Sequence, residues 1–364
     1  MKVAMIGMTK LRFMPYLEFY LRNIDMNQHD IHVIYWNRDE MQDSKIDSRI
    51  QLHCHNDTMS DALPLKEKVP HFIQFRKFAL LIINKEKFDF LIVHYSTTAI
   101  LLCNTLLSKY KNRFILDYRD ITYENIRLYR FLLTKIARNA KCVFVSSDRF
   151  RACFRDCSNV YTSHNISFQD IGKTGEHNWH NIAEQSAIRI SFWGLIRQRE
   201  FNKDIIDKVG SDKRFELHYY GRAQEDTLPI LMEAVSKYTN VFYHGEYMPE
   251  EREGFSKVSD IIDNLYDNDA VMTNAVANKY YDGLLFHIPQ ICNKGSYMAA
   301  LVEKANVGIT VDVNTDAFLD EIYRYVISLD YIRFCDNCEK ELSRIYDEIE
   351  LSNRIIRACF GEIV

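Results

Sequence analysis

The stretch "NAVANKYYDGLLFHIPQICNKGSYMAALV", residues 274–302, decides the fold class. Its apolar spacing predicts a helix through "KYYDGLLFH", a stop at Pro289, a strand "IPQICN" (288–293) and a second helix opened by Gly295 and Ser296. A short apolar strand between two helices belongs to a parallel sheet covered on both faces. Asn278 is placed to cap the first helix and Ser296 the second. Lys279 falls in the first turn, where a cation opposes the helix dipole unless an anion sits there too. Asp282 follows about one turn later on roughly the same side, and a carboxylate there can accept from a ribose diol. The plainer alternatives are a surface Lys279–Asp282 ion pair and an ordinary Ser296 cap.

The same alternation extends both ways. Upstream, strand-like runs are "KVAMIGM" (2–8), "IHVIYW" (31–36), "IQLHCH" (50–55), "FDFLIVHY" (88–95), "RFILDYRD" (113–120), "CVFVSS" (142–147) and "NVYTSHN" (159–165), several of them separated by amphipathic segments. Residues 166–187 are polar and without period. The alternation then restarts with "IRISFWG" (188–194), "RFELHYYG" (214–221), "VFYHGEY" (241–247), "DIIDNLY" (260–266) and "VGITVD" (307–312), and a charged helical segment closes the sequence. This predicts an α/β protein of two tandem doubly wound domains: 1–168, a linker 169–187, 188–340, and a C-terminal helix 341–364 packing back on the first domain. Ligands of such sheets bind at the carboxyl ends of the strands, so the expected site is the cleft where the two domains face each other.

Composition bounds the function. A chain of 364 residues, 47% hydrophobic, supports two cores. Net charge is −4, without the basic footprint of a duplex nucleic-acid binder. The start, "MKVAMIGMTKLRF", reads as a strand rather than a cleaved leader. "FALLII" and "AILLCNTLL" are too short to span a bilayer. Nine scattered cysteines point to a reducing compartment, and the lone Cys335/Cys338 pair supplies only half of a zinc site. The cytoplasm is the expected location.

Three strands of the second half end in glycine: Gly194, Gly221 and Gly245. Arg197 follows the first, with Lys203 in the next helix, and Arg222 follows the second. Room beside the strand ends together with cations favours an anionic ligand of nucleotide size. Residues 188–312 resemble the nucleotide-sugar-binding domain of GT-B glycosyltransferases, close to the retaining family 4 group. The resemblance lies in "SFWGLIRQREFNK", "YYGRA" and "NKYYDGLLFHIPQICNKGSYMAALVEKANVGITV". It implies transfer of a sugar from a nucleoside diphosphate sugar to a hydroxyl of a glycan or lipid-linked glycan, with retention and without metal or other cofactor. Arg197 and Lys203 would hold the diphosphate. The family's two glutamates, seven residues apart, stand here as Asn274 and Asp282, the first without charge. Other readings are a nucleotide-sugar 2-epimerase and a non-catalytic partner subunit.

In the first domain the resemblance is architectural. Thr9, Lys10 and Arg12 follow the first strand and would face the acceptor. His94 ends a central strand, where a family histidine touches the donor sugar; the alternative is a satisfied core histidine. Asp120, at the next strand end, is the expected catalytic carboxylate, or else a helix cap or a partner of Arg119. "DND" (267–269) matches a metal-binding pattern of another glycosyltransferase fold but is also a common turn, and no metal is expected. "HFIQFRKFALLIINKEK" (71–87) can either touch the inner membrane face or simply cover the sheet.

Overall fold

The structure is a computed structural model describing all residues except 15, 40–42, 61–62, 168–170, 172–186, 249–250, 268, 270 and 362–364. The expected linker lies outside the described residues apart from 171 and 187. The chain divides into two units, Met1–His164 with Asp347–Val364, and Asn165–Tyr346.

The first unit holds a seven-stranded, wholly parallel sheet. Its strands are β1 (Lys2–Ile6), β2 (Asp30–Asn37), β3 (Gln51–Asn56), β4 (Phe90–His94), β5 (Phe114–Tyr118), β6 (Cys142–Val145) and β7 (Val160–Thr162), in the order β3-β2-β1-β4-β5-β6-β7. Every residue of β4, β5 and β6 is buried, as expected of strands covered on both faces. The helices are α1 (Leu17–Leu21), α2 (Leu65–Glu86), α3 (Ser96–Leu101), α4 (Cys103–Lys109) and α5 (Arg127–Asn139), followed by a 3-10 helix, Asp148–Phe154. Right-handed crossovers place α2 to α5 on one face of the sheet. α2 turns Phe75, Ala79, Ile82 and Ile83 inward, so it covers the sheet.

The second unit holds six parallel strands, β8 (Ile188–Trp193), β9 (Phe215–Tyr220), β10 (Val241–Tyr243), β11 (Ile261–Asn264), β12 (Gln290–Asn293) and β13 (Gly308–Val311), in the order β10-β9-β8-β11-β12-β13. Around them lie α6 (Arg199–Gly210), α7 (Leu228–Lys237), α8 (Arg252–Ser256), α9 (Asn278–Leu285), α10 (Tyr297–Ala305) and α11 (Phe318–Ile327). Helix α12 (Tyr331–Cys359) runs through the division at 346/347. Its last turns belong to the first unit: Asn353 Oδ1 accepts from Asn23 Nδ2 at 2.7 Å, Phe360 stacks edge-on against Phe90, and Cys359 Sγ lies 4.0 Å from Cys142 Sγ.

In each sheet the strand order reverses beside the unit's first strand, β1 or β8. The switch points are therefore β1/β4 and β8/β11.

Candidate functional site

The three glycines lie side by side. β10, β9 and β8 are neighbours, and Gly194, Gly221 and Gly245 all have positive φ (124°, 129° and 79°). Gly194 N donates to Tyr220 O and Gly221 N to Gly245 O, at 3.0 and 2.7 Å, so the backbones close up as they leave the sheet. Beside Gly245 is a pocket of about 470 Å³ lined by Tyr220, His244, Glu246, Tyr247, Glu251 and Phe255. Its floor is aromatic: Tyr220 stacks on His244 and Phe255 with ring centroids 4.2 and 4.3 Å away.

At the β8/β11 switch point two cations lack a carboxylate partner among the described residues. Arg197 Nη2 finds only Met272 Sδ, at 3.1 Å. Lys279 is 3% exposed, and its Nζ has no hydrogen-bond partner. The ammonium sits 3.2 Å from the centroid of the Phe192 ring and 4.9 Å from that of Tyr266. Burial drives the Lys279 pKa down to about 7, against the pull of Asp263. Gln198 fixes the neighbouring loop: it donates to Asp269 Oδ2 at 3.1 Å and accepts from Asp267 N at 3.0 Å. Asp269 Oδ1 also accepts from Val271 N and Met272 N, the pattern of a turn.

Two expectations for this helix need correction, and one plainer alternative falls. Asn278 does not cap α9. The N-cap is Ala277, in extended conformation with no side-chain bond, and Asn278 is the exposed first helical residue. Lys279 and Asp282 are not a surface ion pair, because both are 3% exposed; neighbours surround α9 from Lys279 to Leu285. Nor is Asp282 an open acceptor. Trp193 Nε1 donates to its Oδ2 at 2.8 Å, and Arg252 Nη1 lies 3.4 Å from Oδ1. Burial raises the Asp282 pKa against both contacts. Ser296 does cap α10, accepting from Ala299 N at 3.0 Å. Asn274 ends the turn before α9 and is half-buried, while Lys203 and Arg222 are exposed.

In the first unit, β4 and β5 are in register at His94 and Asp117. His94 Nδ1 donates to Asp117 Oδ2 at 2.8 Å, and Arg119 Nε lies 3.0 Å from the same oxygen. All three side chains are buried. Burial lowers the His94 pKa, keeping the ring neutral with Nε2 as a bare acceptor, and that atom has no partner among the described residues. Burial would raise Asp117, but Arg119 and His94 outweigh it and hold the carboxylate ionised. Arg119 also donates to Ser163 Oγ at 3.0 Å and lies over the Tyr16 ring. Asp120 is exposed in the loop beyond. The buried carboxylate is thus Asp117, which the sequence reading passed over. Lys10 is 1% exposed; it and Arg12 pair with Asp39 at 2.5 and 3.2 Å, while Thr9 is half-buried and its carbonyl accepts from Trp36 N. Arg119→Ala should cost about 3–5 kcal/mol by leaving Asp117 buried without its cation. The denaturation midpoint reads the loss, and an unchanged midpoint would refute the arrangement.

No protein-family model matches the chain, and no curated protein matches it in sequence. Solved structures do match along its whole length. Sucrose-phosphate synthase from Thermosynechococcus elongatus superposes with a TM-score of 0.73 at 11% identity, covering 99% of each chain. HepE of Anabaena in complex with UDP gives 0.68 at 13%, covering 99% of this chain and 100% of that one. WaaG, a glycosyltransferase involved in lipopolysaccharide biosynthesis, gives 0.65 at 12%, covering 97% and 99%. The likeness establishes the two-domain α/β fold of the GT-B type.

Proposed function

We propose that this chain is a glycosyltransferase that moves a sugar from a nucleoside diphosphate sugar to a hydroxyl of a glycan or lipid-linked glycan, in the cytoplasm and in the manner of the retaining family 4 enzymes. The observation that carries the reading is the pair of cations without carboxylate partners, Arg197 and Lys279, at the β8/β11 switch point beside the glycine-ended strands. Positive charge there, permanent on Arg197 and favoured on Lys279 once an anion arrives, stabilises a departing diphosphate, the role a divalent ion fills elsewhere. The aromatic pocket beside Gly245 suits the base of the donor. HepE, of the same fold, was solved with UDP and with UDP-glucose. The bare Nε2 of His94 suits a sugar hydroxyl.

One observation favours a second reading, a nucleotide-binding or inactive partner subunit. Asn274 is uncharged, and Asp282 is taken by Trp193 and Arg252. A thermal-shift series with UDP, GDP, ADP, CMP and their sugar conjugates separates the readings. A nucleotide at about 100 times its dissociation constant adds roughly 2.7 kcal/mol of stability. We expect a shift with one nucleoside diphosphate and its loss in Arg197→Ala. Transfer to water or an acceptor, followed by release of that diphosphate, then marks the enzyme. A shift without turnover marks the subunit, and no shift with any nucleotide ends the donor-site assignment.

A further inference from the structure

The strongest feature that the donor site leaves unused is on the first unit. Residues 127–155 hold eight Lys or Arg and one acidic residue, in a chain whose net charge is −4. The segment runs from α5 through β6 to the 3-10 helix, which packs against α5. On α5 the cations alternate with apolar side chains left in solvent: Leu128 is 65% exposed and Phe131 64%. Arg127, Arg130 and Lys135 are exposed beside them, and none has a carboxylate partner among the described residues. Arg138 is paired, 2.9 Å from Asp156, and Arg151 lies 3.5 Å from Asp148. Helix α5 itself contains no acidic residue.

On the same face of the sheet α2 shows an apolar row at four-residue spacing, Leu65, Val69 and Ile73, which Lys77 and Leu81 continue; its apolar members are 42–62% exposed. The inward side of α2 is already spent on Phe75, Ala79, Ile82 and Ile83, so this outer row is additional to what the fold needs.

We infer that the α2–α5 face of the first unit docks on an anionic lipid surface. The composition selects that occupant. Cations without counter-ions match lipid phosphates, and exposed leucine, isoleucine and phenylalanine tips among them gain only where there is an acyl boundary to enter. A nucleic acid would neutralise the charge but give those tips no apolar surroundings. Among the described residues no helix is long and apolar enough to cross a membrane, so the contact is interfacial. Docking here would hold the first unit, the expected acceptor side, against a bilayer carrying a lipid-linked acceptor. The inference itself needs no sugar transfer.

The test is co-sedimentation of the full chain with phosphatidylcholine vesicles, with and without about one-third phosphatidylglycerol. Binding to the anionic vesicles only, weakening as salt rises, is expected. Arg127→Gln, Arg130→Gln and Lys135→Gln together should weaken it roughly 100-fold, about five-fold per cation. Phe131→Ser should weaken binding while keeping the salt dependence. Equal binding to neutral vesicles, a triple variant that binds like the wild type, or binding to single-stranded RNA without binding to vesicles would each overturn the inference. Thermal shifts with nucleotides, run on the same variants, should match the wild type; they report separately on the donor site.

Discussion

Lys279→Met should remove a pH dependence of stability and weaken nucleotide binding at the same time. In the folded protein the Lys279 amine titrates near 7, whereas in the unfolded chain it has its ordinary value of 10.5. Between those limits the unfolded chain holds a proton that the folded chain does not. Stability contributed through Lys279 therefore rises with pH, by up to about 1.4 kcal/mol per pH unit. Burial lowers the pKa of this amine most; Asp263 on β11, Cys292 on β12 and Asp282 on α9 pull it up without matching burial, and Arg197 after β8 adds to the lowering. From pH 7 to pH 9 the wild type should gain up to about 3 kcal/mol relative to Lys279→Met. Comparing the two cancels the opposing ionisation of buried thiols, which both chains share. Parallel stability curves would place the amine in water and undo the assignment. The loss of nucleotide affinity has the same root: an amine held without a partner, at a cost in stability, is available to an anion that arrives.

Gly221→Ala should be the most damaging single change, above about 4 kcal/mol. A Cβ built on Gly221 would stand 1.9 Å from Gly194 O, and φ there is +129°. The atom it meets is backbone, so no side chain can swing away. Gly194→Ala is the matched control. Its φ is +124°, yet nothing lies within 4 Å of the added carbon. It should cost only the conformational strain, about 1–2 kcal/mol. Chemical denaturation of the two variants tests the claim. Similar midpoints would mean that the strand ends are not packed as closely as described.

These examples mark what could be read in the sequence. Glycines at the ends of apolar runs are visible because each needs only local context: a strand, then a residue free to take positive φ. The parallel sheets were legible for the same reason, as buried strands such as "FLIVH" carry no polar alternation. Asp117 was not legible. It and Asp120 stand three residues apart at one strand end, and only the register against β4 puts the first beside His94 and leaves the second in solvent. Trp193 and Asp282 are 89 residues apart, so neither announces the other. The burial of Lys279 was not legible either, because charge at a helix start usually means water, which is why a surface pair with Asp282 stood as the plainer alternative. Here the helix is enclosed from Lys279 onward, and Phe192 and Tyr266 take the place of a counter-ion.

The division within α12 has a consequence for the order in which the chain is assembled. The second unit is continuous, Asn165–Tyr346, and has all its strands once residue 311 exists. The first unit begins earlier but is completed by Asp347–Val364. Until those residues leave the ribosome, Phe90 lacks Phe360 and Asn23 lacks Asn353. During synthesis the first unit therefore waits with part of its apolar surface uncovered while the second unit closes. A released fragment ending at residue 346 would hold a complete second unit and an unfinished first one. Chaperones would engage the older half of the nascent chain.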